Sequence, residues 1–218
     1  MGLVWRPIGR PKDGMKEEFE NCFNELKVKK QDDPTVPELF EKFINSSIGP
    51  YDTLNAPRVG FDDKATEWAK EKFEFRANKE MTMDEFLKAM EGYYVVEVLE
   101  RHAGTPVYGG MNEEPHVFGA IFLNDCQDIL GEEMMKEAHT SMTADEAKDF
   151  GNRLMENARE YAKEHKVEHL ENQVMPDEAD GVHGSDDKTP ASNAHIMFSA
   201  ANWLLWWSTR GHGFEADF

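Results

Sequence analysis

Two cysteines in 218 residues, with no C-x-x-C spacing, leave no four-thiolate zinc site and no disulfide framework. Each falls in an apolar segment of helical period: Met15, Phe19, Cys22, Phe23 and Leu26, then Phe118, Phe122, Cys126 and Ile129. Reduced core thiols are the expectation. Long apolar runs are missing too. The most apolar stretch, Ile196 to Trp207, is interrupted by Ser199 and Asn202 and is too short to span a bilayer. The opening MGLVWRPIGRPKDG has no apolar h-region, and Arg6 stands where a myristoylation signal needs Ser or Thr. A cytoplasmic location is expected. Positive charge is scarce: 24 Lys and Arg face 43 Asp and Glu, a net charge of −19. Nucleic acid and anionic membranes are disfavoured, since both are gripped by cations. A basic protein would be drawn in by the same field. Gly104, Gly109 and Gly110 lack the spacing of a phosphate cradle.

Large side chains are plentiful, with 14 Phe, 12 Met and 5 Trp. The apolar period is mostly helical. Asp13 is placed to cap a helix reaching about Lys30, and Pro37 to sit in the first turn of a short one holding Leu39, Phe40, Phe43 and Ile44. Asp62 or Asp63 opens another. Thr82-Met83-Asp84-Glu85 and Thr143-Ala144-Asp145-Glu146 are capping boxes, the second starting the longest helix, to about Leu170. Tyr93 to Leu99 suits a strand or a continued helix, and helix is favoured. His116 to about Leu130 reads as an apolar helix that Gly131 separates from a shorter one. A last helix runs from a Ser192 cap to about Arg210, ended by Gly211. The fold class expected is mainly α: one multi-helix bundle over 1–218, with a minor β element near 93–99 or 105–109 and a long acidic surface loop at 171–191.

The sharpest chemical pattern is His165-Lys166-Val167-Glu168-His169. It resembles the H-x-x-E-H of one class of zinc proteases, but the likeness is five residues in a chain much shorter than theirs. The long helix carries a stripe of Ala147, Phe150, Leu154, Ala158 and Tyr161. Continued as helix, that stripe would bring His165 and His169 onto one face, a turn apart. His165, Glu168 and His169 are therefore the candidate ligands for zinc or another divalent metal. The nearby loop of Asp177, Glu178, Asp180, Asp186 and Asp187 fails the EF-hand pattern, because Pro176 stands where its first Asp is needed.

The final helix is apolar nearly all round, which marks burial or a covering partner. Its polar residues His195, Ser199 and Asn202 form a narrow strip continued by Trp206. The strip suits a buried hydrogen-bond network. It also suits a pocket lined by His195, Asn202 and Trp206, or a partner surface anchored by Trp203, Trp206 and Trp207. No G-x-S-x-G elbow accompanies His195 and Ser199, and Cys126 sits between Asp125 and Asp128, which oppose a thiolate. No catalytic residue is assigned, and a non-enzymatic role is expected. The favoured function is an acidic cytosolic binding or inhibitory protein, of the immunity type, engaging a basic partner. The alternative is a small helical metalloprotein, a metal-dependent hydrolase using His165 and His169.

Overall fold

The computed structural model describes residues 2–30, 32–75, 81–99, 116–173 and 189–217. The protein is mainly α, with two small antiparallel sheets. The first part of the chain gives β1 (Val4–Pro7), β2 (Arg10–Pro11), α1 (Lys16–Val28), α2 (Val36–Asn45), β3 (Ser47–Ile48) and the one-turn α3 (Pro50–Thr53). Then come α4 (Asp63–Glu74), α5 (Met83–Ala89), α6 (Gln127–Ala138), α7 (Ala144–His165), α8 (Pro190–Ser208) and β4 (Phe214–Asp217). Short 3-10 helices occupy Val96–Val98, Ala120–Cys126 and Glu168–Asn172. The contacts group into two units, Met1–Pro50 with Ala103–Phe218, and Tyr51–His102. Residues 174–188, most of the acidic loop, and residues 105–109 lie outside the described residues.

Local start signals act as their chemistry dictates. The side chains of Thr82 and Thr143 accept the amides of Glu85 and Glu146, whose carboxylates take the threonine amides in return. Asp62 caps α4, and Pro37 sits in the first turn of α2. Other boundaries differ from the sequence expectation. Asp13 caps nothing: Gly14, with φ +78°, turns the chain, and α1 starts after Met15 with no side-chain cap. The cap of α8 is Thr189, three residues before Ser192, whose amide it accepts. Phe40 and Ile44 are 54% and 50% exposed, so α2 buries Phe43 with Leu39 half-buried beside it. Residues 116–119 are not helical, because Phe118 is drawn into an antiparallel bridge with Trp5. Gly131, at φ +75°, breaks α6 where a break was expected.

The larger unit is built around α8. Gly151, early in α7, faces Leu204 and Leu205, late in α8, while Tyr161, late in α7, meets Asn193, early in α8. The two helices therefore run antiparallel. A methyl group on Gly151 would begin 3.0 Å from Leu204 Cβ, so the glycine sets their close approach. The buried face of α7 is Ala147, Phe150, Gly151, Leu154, Met155, Ala158 and Ala162. Also packed on α8 is a β1–β4 ribbon pairing Val4 with Asp217 and Pro7 with Phe214. It carries Trp5 into a cage of Phe118, Trp203, Phe214 and Phe150, with ring centroids 5.1–6.2 Å away. The Trp5 indole N–H donates to the Ala138 carbonyl at 2.8 Å, so its polar edge is satisfied in the core.

α1 and α2 form a separate helical hairpin on a core of Phe19, Cys22, Phe23 and Phe43, with Ile8, Leu26 and Leu39 around it. In the smaller unit, α4 and α5 close over Val59, Ala65, Ala69 and Val95. Residues 93–99 do not continue α5. Gly92 turns at φ +83°, Tyr94 bridges Arg58, and a single 3-10 turn follows.

Candidate functional site

The polar strip of α8 is a hydrogen-bond network. His195 is 4% exposed, with Nε2 3.3 Å from the Gln173 carbonyl and 3.4 Å from the Ser199 hydroxyl. A carbonyl can only accept, so the ring proton belongs on Nε2. Asn202 donates to the Glu171 carbonyl at 3.1 Å. The strip thus fastens α8 to the chain that leaves α7. Trp203 and Trp207 are 0% and 1% exposed, and the Trp203 indole donates to the His116 carbonyl. These two rings fill the core and cannot anchor a partner. Trp203 is covered by the Trp5 and Phe214 rings of the β1–β4 ribbon, and Trp207 by His212. Trp206 is half-buried, with the Arg210 guanidinium 3.8 Å from its ring centroid.

The HKVEH stretch does not keep its helical spacing. Lys166 takes the left-handed conformation, φ 60° and ψ 42°, and ends α7 at His165. His169 lies in the following 3-10 helix. His165, Glu168 and His169 are all exposed, and the His165 ring rests 4.3 Å from that of Tyr161. One-turn pairing of two imidazoles needs an unbroken helix, which the Lys166 turn removes. Among the described residues, no three His, Cys, Asp or Glu side chains converge as metal ligands.

His212 is a further buried titratable group. It is 0% exposed, donates from Nδ1 to the Ile8 carbonyl at 2.7 Å, and meets the Trp207 ring edge-on at 5.2 Å. Burial chiefly pushes its pKa down, to about 4. Its place is structural: it ties the chain after α8 to the chain after β1.

An open groove between α1 and α2 offers a different chemistry. Its lining is Gly14, Glu17, Glu18, Asn21, Cys22, Glu25, Leu39 and Lys42. Glu18, Asn21 and Glu25 fall at i, i+3 and i+7, one flank of α1, while Cys22 and the half-buried Leu39 supply an apolar floor. Lys42 is bonded to Glu38 on its own helix at 2.8 Å. Burial, with the fields of Glu18 and Glu25 added, raises the Cys22 thiol pKa, so the groove holds a neutral thiol. The spacing of the glutamates was readable in the sequence. Their partner helix was not, because that pairing is tertiary.

No family model, curated protein or solved structure matches this chain.

Among the described residues, no helix is long and apolar enough to cross a membrane.

Proposed function

We propose that this protein is an acidic binding protein that takes a basic protein segment into the α1–α2 groove, acting in the cytoplasm as an inhibitor of the immunity type. The observation that carries this reading is the groove itself: Glu17, Glu18 and Glu25 in its lining, an apolar floor, and a lysine occupied by its own helix. A helix bearing Lys or Arg on one flank and Leu or Ile on the next matches it in charge and in shape. The net charge of −19 would speed the approach of such a partner, and the local rim would fix where it settles. Cys22 and Cys126 are buried and not in a disulfide, which agrees with a reducing compartment.

The test is binding of a fluorescent, amphipathic Lys- and Leu-bearing helical peptide, followed by anisotropy at low and high salt. Wild-type protein should bind, and raising salt should weaken binding. The double variant Glu18→Gln/Glu25→Gln should lose about tenfold in affinity. Glu132→Gln/Glu133→Gln, the same charge change on the exposed side of α6, should lose much less. Equal losses in both variants would reduce the interaction to overall charge and remove the groove from the account.

A further inference from the structure

The α1–α2 hairpin pairs only some of its carboxylates. Lys16 holds Glu20 and Asp145, Lys27 lies 3.8 Å from Glu146, and Lys42 holds Glu38. Glu17, Glu18 and Glu25, all exposed in the lining of the groove, enter no ion pair among the described residues. Two of the three are in register. Glu18 and Glu25 stand seven residues apart on α1, so they fall within about 20° of each other around its axis and about 10.5 Å apart along it. Cys22 comes one turn after Glu18 and one turn before Glu25, and it belongs to the core shared with Phe43 of α2. Leu39 of α2 lines the groove with it. The groove therefore reads charge, apolar, charge along α1.

That order specifies its complement. The backbones of α1 and α2 are bonded within each helix and offer no free edge. An extended segment laid on the apolar floor would leave amides and carbonyls facing it unpaired. A helix satisfies its backbone internally and presents only side chains. Lying lengthwise, as neighbouring helices pack, it rises at the same rate as α1. Cations that meet Glu18 and Glu25 must then also be seven residues apart on the occupant. Its contact with Cys22 and Leu39 falls half-way between them, at i+3 or i+4 according to chain direction.

We propose that the groove selects a helical segment of a basic protein carrying Lys or Arg at i and i+7, with Leu or another large apolar residue at i+3 or i+4. Such selectivity rests on the proposed role of the groove and adds the spacing that it recognises. Three fluorescent peptides of equal net charge separate spacing from overall attraction. The first has Lys at i and i+7 and Leu at i+3 and i+4. The second has the same composition with one Lys moved to i+5, onto the far flank of the helix. The third is the first with proline at i+5, which breaks the helix. The net charge of −19 acts on all three alike. By anisotropy with the full chain at fixed ionic strength, the first should bind about tenfold tighter than either of the others. Glu18→Gln/Glu25→Gln should shrink that preference to about twofold or less, whereas Glu132→Gln/Glu133→Gln should keep it. Circular dichroism checks that both variants retain their helix content. Equal binding of the first two peptides, weakened in the groove variant, would overturn the spacing and leave the groove standing. Binding of the proline peptide as tightly as the first would overturn the helical occupant. A preference that survives Glu18→Gln/Glu25→Gln would place recognition elsewhere, and no binding by any peptide would remove spacing and groove together.

Discussion

His212 shows how one buried imidazole makes stability depend on pH. Its ordinary pKa of 6.5 is pushed down to about 4 in the folded chain, so folding favours the neutral ring. That contribution is complete above pH 6.5 and drains away as pH falls toward 4, to at most on the order of 3 kcal/mol. Glu146 and Asp145 have pKa values below the usual carboxylate range and lose their contributions only at lower pH. Denaturant titrations from about pH 7 to pH 4.5 should therefore show falling stability in wild type and a flatter profile in His212→Gln. An unchanged slope in the variant would mean the proton goes elsewhere. The sequence does not announce its burial, since the carbonyl it bonds belongs to Ile8, 204 positions away. Gly213 is similarly silent. A methyl group there would lie 2.1 Å from the Met142 carbonyl oxygen, a contact between residues some seventy positions apart.

α7 separates what is local from what is not. Its start was legible because the capping box is closed by residues three apart, within one turn. Thr143→Ala should cost about 1 kcal/mol in thermal or chemical unfolding. Its end was not legible. The chain turns left-handed at a lysine, a residue with no preference for that region, where glycine would have marked the stop. Lys166→Gly should accordingly raise stability by roughly 0.5–1 kcal/mol, and a loss would show that the lysine side chain supports the turn. The same missed stop is why His165 and His169 looked like a helical pair. In α8 the sequence showed that the helix would be covered, and the structure shows what covers it. An all-round apolar helix cannot declare which faces meet α7, the ribbon or a partner. The groove was half legible: the glutamate flank of α1 is a repeating pattern, whereas its apposition to Leu39 and Lys42 needs the folded hairpin.

At the scale of the whole chain, the mainly α class followed from the apolar period, and the small β component appeared at sites the pattern did not mark. β1 and β4 are four residues each and pair over more than two hundred positions. A net charge of −19 also sets a global response. Self-repulsion opposes the compact state and is screened as ions are added. Thermal midpoints should climb as sodium chloride rises from about 0.01 M to 0.3 M, and a midpoint that falls would mean specific ion pairs such as Arg153 with Glu137 outweigh the repulsion. The Trp5 cage carries one more implication. During synthesis Trp5 emerges about two hundred residues before the Trp203 and Phe214 rings that cover it. While those residues are being added the nascent chain carries an uncovered indole, which gives a holding chaperone something to grasp.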